Sequence, residues 1–84
     1  MLKIYVVQGS TGEYSDHREW LVCAFTREKS AQAFVEVVSA RARELQMQYG
    51  KYWGIPDGSN EYDPSMEIDY TGVNYHIESV ILEN

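Results

Sequence analysis

The chain has 84 residues, enough for one domain with one modest core, and 44% of them are apolar, a share that excludes a disordered segment. Its formal charge of −6 and pI near 4.7 leave no basic field for nucleic acid or an anionic membrane surface. A single cysteine, Cys23, excludes an internal disulfide, and no apolar run approaches the length of a membrane span, so a reducing cytoplasm is the expected setting.

Residues 2–8 (LKIYVVQ) are β-branched and aromatic and stop at Gly9, the pattern of a strand. Ile4 and Val6 oppose Tyr5 and Val7, so neither side is polar and a central place in the sheet is predicted. Gly9 to Arg18 is dense in turn formers. Residues 19–25 (EWLVCAF) form a second doubly apolar strand, with Trp20, Val22 and Ala24 on one side and Leu21, Cys23 and Phe25 on the other. The two strands read as an antiparallel hairpin with a long tip.

A helix is predicted over 27–48. Ala31, Phe34, Val35, Val38, Ala42, Leu45 and Tyr49 recur every three or four residues and make one apolar stripe. Thr26 is the expected N-cap, Glu28 suits the positive end of the helix dipole, and Gly50 is the expected stop. Phe34 and Val38 are expected to pack against Ile77. From residue 50 to 66 the periodicity is lost among Gly54, Pro56, Gly58, Asn60 and Pro64, and the stretch reads as an irregular excursion. Its length in so small a domain favours a functional role. Either this excursion or a second chain is expected to shield the face of the sheet that the helix leaves open. Residues 73–82 (VNYHIESVIL) alternate cleanly and form the third strand, with His76 on the polar side near Tyr5 or Lys3. The expected architecture is a single α+β domain, ββαβ, with a three-stranded antiparallel sheet in order 2-1-3 and the helix on one face.

Chemistry-bearing motifs are weak. Gly9-Ser10-Thr11-Gly12 lacks the lysine and the following helix of a phosphate loop. Ser15, Asp16 and His17 are consecutive, so they do not converge as a catalytic triad must. Asp57, Ser59, Glu61 and Asp63 alternate like calcium ligands, but Tyr62 and Ile68 stand where glycine and glutamate are required. No enzyme activity, cofactor or metal is expected.

Charge distribution carries the strongest signal. All 7 lysines and arginines lie at or before Lys51; after it come Asp57, Glu61, Asp63, Glu67, Asp69, Glu78 and Glu83, interleaved with Tyr52, Trp53, Tyr62, Tyr70 and Tyr75. Trp53, Asp57, Glu61, Tyr62, Asp63, Glu67, Asp69 and Tyr70 are therefore the candidate partner-binding residues, aromatic anchors among steering carboxylates. The other readings are a solvated acidic loop whose aromatics fold back over the open face of the sheet, a contact surface on the Gly9–Arg18 tip in place of the acidic segment, a nucleotide-like ligand held between the Gly9–Gly12 tip and the excursion, and a homodimer formed through the uncovered sheet face.

The run from Ile4 to Trp20 (IYVVQGSTGEYSDHREW) and the stretch Asp69-Tyr70-Thr71-Gly72-Val73 resemble the two ends of short, uncharacterised proteins encoded by bacteriophages and prophages. The resemblance covers both termini and little of residues 46–66, and it carries no activity to any position. It implies a phage accessory protein, a setting in which small acidic proteins are often inhibitors of host defence, anti-CRISPR proteins among them. The partner so implied is a nucleic-acid-handling host protein, met in the host cytoplasm.

Overall fold

The computed structural model describes residues 2–50 and 52–83. Lys51, which closes the basic part of the chain, lies outside the described residues, as does the side chain of Tyr52. Three strands, β1 (Leu2–Thr11), β2 (Arg18–Phe25) and β3 (Val73–Leu82), form one antiparallel sheet in order β2-β1-β3, and one helix, α1 (Glu28–Tyr49), separates β2 from β3. This is the α+β architecture and strand order expected from the sequence. β1 runs three residues past Gln8 because Gly9, Ser10 and Thr11 stay paired on both sides, with Trp20, Glu19 and Arg18 and with Tyr75, Asn74 and Val73.

Cross-strand partners share a face. One face carries Tyr5, Val7, Gly9 and Thr11 of β1 opposite Ser79, Ile77, Tyr75 and Val73 of β3. Val7 and Gly9 are buried here, and so are Ala31, Val38, Ala42 and Leu45 of α1. The apolar stripe of the helix thus closes the core. Its rim differs from expectation: Phe34 is half-buried and packs on Phe25 of β2, ring centroids 5.6 Å apart, and Tyr49 is exposed.

A bulge in β2 changes which side chains reach that core. Val7 pairs with Cys23, yet Gln8 pairs with Leu21, so Val22 is the extra residue. The shift overturns the simple alternation read from residues 19–25. Trp20 joins Cys23 and Phe25 on the helix side, while Leu21 and Ala24 turn to the opposite face.

The helix starts later than its sequence suggests. Arg27, not Thr26, is the N-cap, in extended backbone without a side-chain cap bond, although the Ala31 N–H still reaches the Arg27 carbonyl at 3.2 Å. A connection of two residues from Phe25 sets that start, ahead of capping preference. The C-terminus stops as expected: Gly50 is left-handed at φ 72° and donates to the Gln46 carbonyl at 2.9 Å.

After the helix, residues 52–72 return to the same side of the sheet. A 3-10 turn at Tyr52–Gly54 leads into tight turns, and Asn60 and Asp63 are buried under them. Asn60 Nδ2 donates to the Val38 carbonyl at 3.3 Å, and its Oδ1 accepts the Tyr62 N–H at 3.1 Å. The excursion therefore covers the helix side alongside α1, where it reaches Val38 and Arg41, and not the open face as the reading of it as a solvated acidic loop had it. Among the described residues nothing covers the other face, where Leu2, Leu21 (70% exposed), Val80 and Leu82 border Ile4 and Val6.

Candidate functional site

The end of the sheet away from the β1 N-terminus is where chemistry gathers. There the β1–β2 loop meets the 69–72 turn that feeds β3. The loop contains a 3-10 turn, Tyr14–Asp16, entered through Gly12 at φ 90° and Tyr14 at φ 53°. Left-handed backbone is natural for glycine and costly for tyrosine, about 1–3 kcal/mol. The surrounding bonds hold it: Asp16 N donates to the Glu13 carbonyl at 3.0 Å and His17 N to the Tyr14 carbonyl at 3.1 Å. Tyr14 is left 94% exposed.

Thr11 and Asp69 lock the two segments together. Thr11 Oγ1 accepts the Asp69 N–H at 3.1 Å and lies 2.5 Å from the Gly72 carbonyl. Thr71 N donates to Asp69 Oδ1 at 2.8 Å, the Thr71 hydroxyl bonds the same oxygen, and Gly12 N donates to Thr71 Oγ1 at 3.2 Å. The Thr71 hydroxyl above all, with the Thr71 N–H, Thr11 and the Gly12 N–H behind it, holds the Asp69 carboxyl below its ordinary pKa against the effect of burial. Asp69 is thus a fixed anion.

Tyr70 stands beside it, 69% exposed, its hydroxyl 3.2 Å from Glu13 Oε2. That bond first, and then the charges of Glu13, Asp69 and Asp16, push the Tyr70 phenol upward. An exposed aromatic ring thus stands among the carboxylates of Glu13, Asp69 and Asp16. His17 bonds Glu19 and Gly12, with Nε2 3.0 Å from Glu19 Oε1 and Nδ1 3.3 Å from the Gly12 carbonyl. These bonds, Glu19 first, raise its pKa and lower that of Glu19. Ser15, Asp16 and His17 do not form a triad.

The eight partner-binding candidates separate into five environments. Asp69 and Tyr70 belong to this tip. Glu67 is paired with Arg18 at 2.7 Å, and the pair forms a wall between two shallow grooves of about 250 Å³ each. One groove runs along the tip past Asp16, Asp69 and Tyr70; the other holds Trp53 (68% exposed), Pro56 and Asp57. Glu61 and Tyr62 lie elsewhere, against the helix, with Glu61 2.7 Å from Arg41 Nε.

Asp63 leaves the surface altogether. It is 2% exposed, and its Oδ2 accepts Trp20 Nε1 at 2.8 Å and the Tyr75 hydroxyl at 2.7 Å. This carboxylate ties the excursion to β2 and β3, and no partner can touch it in the folded chain. Burial of Tyr75 itself first, and then its bond to Asp63 and the Asp63 charge, push the Tyr75 phenol far above its ordinary range. Gly9 makes room for the arrangement, because a Cβ there would stand 2.5 Å from the Trp20 indole.

Sequence reasoning held the Gly9–Arg18 tip and the acidic segment as alternative surfaces and did not join Glu13, Tyr14 and Asp16 to Asp69 and Tyr70, since they lie 53 or more residues from Asp69 in the chain. It also placed His76 near Tyr5 or Lys3, whereas Nε2 lies 2.8 Å from Gln8 Oε1 on the open face. Cys23 is half-buried, with its thiol pushed up by burial, which disfavours the reactive thiolate. Among the described residues no three His, Cys, Asp or Glu side chains are grouped to hold a metal ion, and no helix is long and apolar enough to cross a membrane. No protein-family model, curated protein or solved structure matches the chain, so its own geometry is the ground for function.

Proposed function

We propose that this chain is a non-enzymatic inhibitor of the phage type that docks on a basic, nucleic-acid-handling surface of a host defence protein in the cytoplasm, as an anti-CRISPR protein does. The observation that supports it is the tip: Tyr14 and Tyr70, both largely exposed, stand among Glu13, Asp16 and Asp69 on a backbone locked by Thr11, Thr71 and Gly12. Rigid aromatic anchors with surrounding carboxylates suit a basic channel, because the rings supply buried contact at low entropic cost and the charges steer encounter. The working surface moves from the whole 53–70 segment to Tyr14, Tyr70, Asp69, Glu13 and Asp16, with Trp53 and Asp57 in the neighbouring groove.

A nucleotide-like ligand in those grooves is the weaker reading. Among the described residues their one cation, Arg18, is paired with Glu67, and Asp16, Asp57 and Asp69 line the remainder, a field that repels phosphate. The test is inhibition of nucleic-acid binding by a purified defence complex. Inhibition should weaken with added salt and be lost in the Tyr14→Ala/Tyr70→Ala double variant. Full inhibition by that variant, or by a wild-type chain at high salt, refutes the tip as the contact surface.

A further inference from the structure

The two edges of the sheet are built differently. β2 carries the bulge at Val22 and is bound by the excursion through Trp20 and Arg18. β3 runs ten residues in unbroken register with β1, from Thr11↔Val73 to Leu2↔Leu82, and contains no proline, glycine, lysine or bulge. Among the described residues no strand or loop pairs with its outer edge. Natural edges are usually blunted by one of those devices, and a long regular edge without them is a template for another strand.

We infer that β3 pairs antiparallel with β3 of a second copy of this chain, joining two sheets into one of six strands. The side-chain order selects the register. A two-fold axis normal to the sheet keeps both helices on one side, so odd residues must oppose odd ones and even oppose even. With the axis at Ile77, that residue meets its own copy, Val73 meets Ile81, and Tyr75 meets Ser79 on the helix side. On the open side His76 then opposes Glu78 of the second copy, twice by symmetry. Setting the axis at Glu78 would place two carboxylates face to face; setting it at His76 would oppose two imidazoles and leave Glu78 against Asn74. Only the Ile77 register matches donor to acceptor at both positions.

His76 and Glu78 are exposed and suited to this. His76 uses Nε2 toward Gln8, leaving Nδ1 for the second copy, and Glu78 has no hydrogen bond or ion pair within the described residues. Opposed side chains at such positions sit about 5 Å apart, within reach of a direct bond. The inference stands independently of the acidic tip, which lies on the loops and not on this edge.

Sedimentation equilibrium at about 0.15 M salt, where the net charge is screened, tests it on the full chain. The expected result is a mass rising toward twice 9.7 kDa with concentration. His76→Glu, which sets like charges opposite each other, should weaken the dimer roughly tenfold or more, and His76→Glu/Glu78→His should restore it by exchanging the partners. Amide exchange in β3 should slow as wild-type concentration rises, while β2 amides keep their rates. A chain that stays monomeric to about millimolar concentration overturns the inference and leaves the edge to an extended segment of another protein. A dimer equally tight in wild type and His76→Glu, or a double variant without rescue, overturns the register.

Discussion

Replacing Asp63 by alanine tests how the excursion is held. In the folded chain its carboxylate accepts two bonds, 2.8 Å from Trp20 Nε1 and 2.7 Å from the Tyr75 hydroxyl, at a site 2% exposed. Truncation leaves both donors without an acceptor in a half-buried setting, at about 1–3 kcal/mol each. The expected loss is about 2–6 kcal/mol, to be set against a total stability of roughly 4–13 kcal/mol for a domain of this length. Asp63→Asn keeps an oxygen that can stand in the place of Oδ2, the atom that accepts both donors, and so should lose well under the alanine value, mainly the charge assistance of the two bonds. Urea unfolding followed by circular dichroism and by tryptophan fluorescence reads the effect. Because Trp20 bonds Asp63 directly, its emission should shift toward that of solvated indole in Asp63→Ala before the sheet unfolds. An unchanged midpoint in Asp63→Ala would refute the inference that this carboxylate pins residues 52–72 to the sheet, and would return Asp63 to the surface.

Gly9→Ala should destabilise by about 1–3 kcal/mol, because the new methyl meets the rigid Trp20 ring at 2.5 Å; thermal melting checks it. Leu45→Ala, at a position 2% exposed under the helix, should cost about 2–5 kcal/mol in urea unfolding, and Phe34→Ala less, since Phe34 is only half-buried against Phe25. Stability should fall at alkaline pH. The folded chain holds the Tyr75 proton more tightly than the unfolded chain, so this contribution is complete below the ordinary phenol pKa of 10.0 and is lost as pH rises above it. Tyr75→Phe should remove that dependence, as melting curves from neutral to strongly alkaline pH would show. Charge reversal at Glu61 should leave partner binding nearly unchanged, because Glu61 is engaged with Arg41 on the helix side and away from the tip.

Local pattern was sufficient for the elements and their order. The three-to-four spacing from Ala31 to Leu45, the alternation from Val73 to Leu82 and the doubly apolar β1 each state a period and a face. With direction reversing at each connection, those faces leave β1 in the middle. Gly50 marked the helix stop for a reason that is also local, its access to positive φ.

Tertiary structure decided whatever depends on partners distant in the chain. A bulge at Val22 cannot be read from residues 19–25, because it exists only in relation to the register of β1, and it sends Trp20 to the side opposite the one alternation predicts. The acids after Lys51 look alike in composition. They differ in the fold because Trp20 and Tyr75 bury Asp63, Arg18 and Arg41 engage Glu67 and Glu61, and Thr11 and Thr71 fix Asp69. The acidic tip is likewise assembled from two segments more than 50 residues apart, joined by Thr11 with Asp69 and by Tyr70 with Glu13. Period and composition state which residues can be buried or charged; only the closed fold states which donor each carboxylate meets, and therefore which remain free to face a partner.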